Sequence, residues 1–177
     1  MRNKIITLAG PSGVGKTTAK NCLLSKFPGL AFSVSTTTRL QMKHEEDGVD
    51  YNFVGFMEFQ SMIDKDEFAE WQQVYSTVDS RYGTTKAELE RISRDGKSTV
   101  LDIDVQGALN IKKIYGDRAI IIMVRPPSIQ ELKQRLVARG RGESEEKIRE
   151  RLAKAESELG FADRFDEVVT NGDMHIF

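Results

Sequence analysis

Three runs of the chain, residues 4–9, 98–103 and 119–124, are apolar without alternation, and each is followed by a stretch of helical character. A strand with one wet face alternates apolar and polar side chains; a strand covered on both faces does not. Such strands, separated by helices, predict an α/β fold with a central, mainly parallel sheet flanked by helices. Helices are predicted over 17–27, 105–114, 128–139 and 144–159, with further strands over 31–35 and 167–170. Residues 37–91 change character, being polar and dotted with aromatics, and read as a small α+β insertion into a core made of 1–36 and 92–177.

At 177 residues and 39% hydrophobic content the chain can bury a substantial single core. Its net charge of -1 argues against a surface built to cover a nucleic-acid backbone, so any anion site must be local. The lone cysteine, Cys22, cannot form an internal disulfide and is expected to pack in the core of the first helix. Residues 1–10 hold only a short apolar run, so no secretory leader is expected. No stretch approaches the roughly 20 apolar residues of a membrane span. A cytoplasmic enzyme or adaptor, with no membrane or nucleic-acid partner, is the resulting expectation; oligomeric state is not written in the sequence. His44 and His175 lie far apart and suggest neither a metal site nor a triad.

Gly10-Pro11-Ser12-Gly13-Val14-Gly15-Lys16-Thr17 fits G-x-x-x-x-G-K-[ST] between a predicted strand and a predicted helix, the context that confirms a phosphate-binding P-loop. Its glycines let backbone N–H groups curl around phosphate oxygens, and the helix N-terminus adds partial positive charge. Lys16 is expected to reach the β and γ phosphates of ATP, and the Thr17 hydroxyl to ligate Mg²⁺. Thr18 and Asn171 complete the candidate ATP-binding set. Asp102 ends an apolar strand, where the ligand crevice of an open α/β sheet lies, and is placed to orient Mg²⁺ or its waters, although an aspartate after a strand is common. The loop alone suits GTPases, transport ATPases and small-molecule kinases alike.

Further segments narrow the choice. Residues 32–39 (Phe-Ser-Val-Ser-Thr-Thr-Thr-Arg), 50–54 (Asp-Tyr-Asn-Phe-Val), 67–71 (Glu-Phe-Ala-Glu-Trp), 81–84 (Arg-Tyr-Gly-Thr) and 101–108 (Leu-Asp-Ile-Asp-Val-Gln-Gly-Ala) resemble guanylate kinase in order and spacing. The resemblance runs to about residue 173 and implies a P-loop kinase that phosphorylates GMP, and dGMP, with ATP and Mg²⁺. It implies that Ser35, Glu70, Thr84 and Asp104, with Gly107, surround the base, that Arg39, Tyr51 and Tyr82 hold the acceptor phosphate, and that 37–91 is the GMP-binding subdomain. The chemistry agrees: guanine offers N1–H and an amino group to carboxylates, whereas adenine would set an acceptor against a carboxylate, a mismatch that discriminates by roughly 10⁴. Each residue also has a plain structural explanation: Asp104 as a helix N-cap, the tyrosines as half-buried aromatics, and Glu70 as an exposed strand residue.

Met42 departs from the family, which carries a second phosphate-gripping arginine there; Lys43 beside it offers a point charge without arginine's bidentate geometry. After Asn171-Gly172-Asp173 the family continues into a final helix of roughly five turns that this sequence, ending at Phe177, does not include. Phosphoryl transfer relies on converging cations, and the resemblance assigns Arg135, Arg139 and Arg151, around the glycine break at 139–142, to a closing lid; the lid segment itself is expected over 138–150. Glu131 and Arg135 also form an i,i+4 pair that could be no more than a surface bridge. The competing classes are a kinase-like interaction module without activity and a P-loop kinase for another phosphorylated acceptor. Lys16 and Thr17 with intact glycines argue against the first, and Glu70 with Asp104 against the second.

Overall fold

The structure, a computed structural model, describes residues 3–74, 80–138 and 144–172. In chain order its elements are β1 (Ile5–Ala9), α1 (Lys16–Lys26), β2 (Leu30–Phe32), β3 (Thr36–Thr37), β4 (Asn52–Phe53), α2 (Phe56–Asp64), β5 (Phe68–Val74), β6 (Ser80–Thr85), α3 (Lys86–Arg94), β7 (Ser98–Asp102), α4 (Val105–Tyr115), β8 (Ala119–Arg125), α5 (Ile129–Ala138), α6 (Glu145–Leu159) and β9 (Glu167–Thr170).

Five strands form a parallel sheet in the order β2-β7-β1-β8-β9, with Ile6 of β1 in register with Val100 on one side and Ile120 on the other. Alternate side chains of these strands enter different hydrophobic clusters. Leu8, Val100 and Val124 pack with Val14, Leu132 and Leu136, while Ile5 and Leu101 pack with Ile111, and Ile121 and Met123 with Val105 and Leu109. Along β1, β7 and β8 both faces are covered, which is why those runs show no period of two, whereas β9 is exposed along its length. Each aliphatic side chain so buried is worth about 1.5–3 kcal/mol of transfer free energy.

A second, four-stranded sheet in the order β4-β3-β6-β5 is built from the insertion. Its core is aromatic: Phe59 of α2 is fully buried and stacks on Phe68 of β5 at 4.4 Å between ring centroids. The single strand expected over 31–35 is divided between the sheets. Phe32 is the last residue paired with β7, Ser33 still donates its N–H to the Val100 carbonyl at 3.0 Å, and at Thr36 the chain joins β4 and β6. Nor does the insertion stand apart, because Ala69 of β5 and Leu89 of α3 share a cluster with Ile5 and Leu101. Cys22, expected in the core, is half-buried. Of the expected lid, residues 139–143, including Arg139, lie outside the described residues.

Helices α3, α4 and α6 start on side-chain caps, from Thr85, Asp104 and Ser144 respectively, but α1 starts on Gly15 with no side-chain cap. Its first-turn N–H groups are therefore left for a ligand. The loop before it depends on glycine: Gly10 has φ 137°, and a Cβ there would sit 2.2 Å from the Val124 carbonyl oxygen. Gly10→Ala is expected to cost about 2–5 kcal/mol, the sum of backbone strain and overpacking, measurable as a lower urea midpoint at unchanged m.

Candidate active site

A cleft of about 440 Å³ brings the two predicted sets together. Gly13, Gly15, Lys16 and Thr17 line one end, and Ser35, Tyr51, Glu70, Tyr82 and Asp104 the other. The strands of the main sheet deliver the loop and Asp102 at their carboxyl ends, while the second sheet supplies most of the acceptor residues; this is the crevice position expected of a parallel α/β sheet.

At the loop, the Lys16 ammonium donates to the carbonyls of Gly10 at 2.7 Å and Pro11 at 3.3 Å and lies 4.0 Å from Asp102. Arg151, on α6, reaches back to donate to the Ser12 hydroxyl at 3.1 Å, which places a guanidinium on the phosphate loop. Arg135 does not line the cleft. It is held by Glu131 and by the carbonyls of Asn171 and Gly172 at 2.9 and 3.0 Å. Asn171, expected beside ATP, is buried behind the loop: its amide donates to the Val14 carbonyl at 2.7 Å, and its Nδ2 lies where a Cβ on Gly15 would fall. It braces the loop against β9. Pro11 and Val14 are likewise buried, whereas Ser12 and Thr18 are exposed.

Thr17 and Asp102 fit a hard cation. Burial pushes the Asp102 carboxyl up, and Lys16, Lys20 and a hydrogen bond from Thr17 pull it back, so a hydroxyl and a carboxylate stand together at the edge of the phosphate loop. Two oxygen donors beside phosphate are what Mg²⁺ asks of a protein, since waters and phosphates supply the rest.

At the acceptor end, Glu70 is buried and accepts a hydrogen bond from the Thr84 hydroxyl at 2.8 Å. Its carboxyl is pushed up to about 7 by burial; the Thr84 hydrogen bond opposes the rise and the Asp104 charge adds to it. Thr84 is fully buried and touches the cleft only through Glu70. Asp104 is indeed an N-cap, accepting from the Gly107 N–H at 2.7 Å through Oδ1, and it also lines the cleft. Oδ1 caps the helix, and Oδ2 has no hydrogen-bond partner among the described residues. Gly107 allows this approach, because a Cβ there would stand 2.9 Å from Glu70 Oε2. Tyr51 and Tyr82 meet edge to face at 6.0 Å, and burial pushes the Tyr51 phenol up.

Arg39 lies over the Tyr51 ring at 5.2 Å, and its guanidinium is already engaged: Glu45 takes it bidentately at 2.7 and 3.0 Å and also accepts from the Met42 N–H. That pairing raises the Arg39 pKa and lowers that of Glu45. Lys43 is exposed.

The comparisons agree with this geometry. A family model described as guanylate kinase matches residues 2–176. The chain belongs to the guanylate kinase family. It is 45% identical to the guanylate kinase of Bacteroides fragilis over 171 residues, covering 97% of this chain and 82% of that protein. With the guanylate kinase of Salinibacter ruber it shares 46% over 170 residues, covering 96% and 88%. A crystal structure of guanylate kinase from Anaplasma phagocytophilum superposes with a TM-score of 0.77 at 33% identity, over 97% of this chain and 78% of that one.

Sequence reasoning did not single out Lys20, Gln72, Lys154 and Glu158, all of which line the cleft. Lys20 was recoverable, since it follows Lys16 by one helical turn; its ammonium lies 3.9 Å over the Phe32 ring. Lys154 and Glu158 carried only the mark of an ordinary helix-surface pair. Among the described residues, no helix is long and apolar enough to cross a membrane.

Proposed function

We propose that this nucleoside monophosphate kinase holds the β and γ phosphates of ATP on the phosphate loop and Lys16, and GMP between Glu70 and Asp104, with both in the one cleft. The observation that carries the assignment is the meeting of two carboxylates and a P-loop across about 440 Å³. Glu70 and the free oxygen of Asp104 accept from guanine N1–H and the amino group, Thr84 orients Glu70, and Ser35 lines the same wall. Arg39, Tyr51 and Tyr82 hold the acceptor phosphate, which attacks the γ phosphorus in line as the bond from that phosphorus to the β–γ bridging oxygen breaks and ADP leaves; it is already an anionic nucleophile needing no general base. Lys16 and Arg151 neutralise charge on the transferring group; Arg135 joins them by leaving Asn171 and Gly172. Thr17 and Asp102 would hold Mg²⁺, which when bound would offset the charge of the phosphates. ATP and GMP are cytoplasmic metabolites, and we place the enzyme with them.

The test is ADP release from ATP and Mg²⁺ with GMP, dGMP, AMP, UMP or CMP as acceptor. Turnover confined to the guanine nucleotides is expected; equal turnover with AMP would refute the assignment.

Met42 makes a separate prediction. Glu45 has one guanidinium to share with any incoming phosphate, so a second arginine would both relieve Arg39 and add a fork of its own. Met42→Arg is expected to lower the KM for GMP by roughly 3- to 10-fold with kcat little changed, as for a partly exposed charge-assisted contact. An unchanged KM would show that Lys43 already compensates.

A further inference from the structure

Helix α6 brings to the cleft a carboxylate that the acceptor assignment leaves unused, Glu158. It follows Lys154 by one turn, with their charged atoms 3.6 Å apart. In an ordinary surface pair of this spacing both ends reach water. This pair is lopsided: the Lys154 side chain keeps 59% exposure and that of Glu158 only 15%. The anion is the member turned inward. Burial pushes its carboxyl up, Lys154 and Lys16 pull it back, and Asp104 adds to the rise, so Glu158 stands close enough to feel both the phosphate-loop lysine and the base-end aspartate.

That position opposes simple electrostatics. Asp50, Asp102, Asp104 and Glu70 already face the same space, and both substrates are anions. A fifth carboxylate, offset only by an ammonium that is itself largely in water, repels them unless it meets a further hydrogen-bond donor. Ionised phosphates carry no donor, and the donors of guanine are taken by Glu70 and Asp104. The donors that remain on the acceptor are its ribose hydroxyls, which in any nucleotide lie between base and phosphate. We propose that Glu158 accepts a hydrogen bond from the ribose 2′-hydroxyl of GMP, and that this contact makes the enzyme prefer GMP to dGMP. Lys154, its ammonium 3.6 Å from the carboxylate, opposes the rise that burial imposes. The inference rests on GMP being the acceptor.

Steady-state KM values for GMP and dGMP in wild type, Glu158→Ala and Glu158→Gln provide the test. One hydrogen bond to a charged group corresponds to roughly a tenfold difference or more, so the wild-type KM for dGMP is expected about tenfold above that for GMP. Glu158→Ala should raise the KM for GMP by about the same factor and leave dGMP within about twofold, bringing the ratio near one. Glu158→Gln keeps an acceptor without the charge and should retain part of the preference. Equal KM values in wild type, or an alanine variant that raises both alike, would overturn the inference while leaving the GMP assignment standing. Should Glu158→Ala fail to fold, the glutamine variant decides: an unchanged dGMP-to-GMP ratio overturns it. Inactivity of the wild type on both nucleotides removes the acceptor assignment, and this inference with it.

Discussion

Lys16→Ala is expected to lower kcat about 10³-fold, in the range seen when a preorganised donor to developing charge is removed. The ammonium is held by the Gly10 and Pro11 carbonyls and lies 4.0 Å from Asp102, on the loop proposed to receive the phosphates. Transfer to ATP exchanges carbonyl dipoles for phosphate charge, and the benefit grows as the γ phosphoryl group loosens from its leaving oxygen. Alanine removes that charge and leaves Asp102 to face the phosphates without its nearest cation. The fold should survive, since the loop backbone is also braced by Asn171 from behind. A thermal midpoint within a few degrees of wild type, together with single-turnover rates, separates lost chemistry from lost structure. A kcat loss under about tenfold would contradict the assigned role.

Glu70→Gln is expected to lower kcat/KM for GMP by about 10³-fold, because an amide turns a donor toward guanine donors and leaves both unpaired. The same carboxyl predicts a pH dependence. Its folded pKa, about 7, lies above its ordinary value of 4.5. Folding therefore favours the protonated form, and this contribution to stability is full below about pH 4.5 and is lost as pH rises through about 7. GMP needs the ionised form, so the KM for GMP should fall as pH rises through about 7 and level above it. The acceptor phosphate titrates nearby, with a second pKa of about 6, but Glu70→Gln keeps that step and loses the carboxyl's own. A KM profile identical in wild type and variant would exclude Glu70 from guanine recognition. Above pH 7 the ligand-free variant should melt no lower than wild type, having lost a buried charge and kept a partner for Thr84.

Much of this protein is written locally. The phosphate loop is legible because the chemistry of holding phosphate is a property of consecutive residues: glycines that reach positive φ, a lysine, a hydroxyl and a helix start without a side-chain cap. Strands β1, β7 and β8 are legible because burial on both faces removes polar residues from both registers. Asp104 is instructive in another way, since its local signal, an N-cap, is correct and incomplete; the cap takes one oxygen and the cleft the other. Glu70 gives no local signal at all, and only the order of segments shared with guanylate kinases singled it out.

What stayed hidden depends on residues distant in the chain. That Asn171 faces the back of the loop follows from β9 pairing with β8, and that Arg151 reaches Ser12 across 139 residues follows from where α6 packs. The occupation of Arg39 by Glu45 is six residues away in sequence, yet it is set by a loop whose shape no periodicity describes. Lys154 and Glu158 have the same spacing as any solvated helix pair, and only packing decides which end meets water. The uninterrupted apolar strands and the glycine-lysine-threonine turn thus determined, by themselves, a parallel α/β sheet with a phosphate site at its carboxyl edge, because backbone conformation and burial are encoded residue by residue. Which carboxylates and hydroxyls converge on the second half of the cleft was decided only by tertiary structure, because charge acts through space and its neighbours come from every part of the chain.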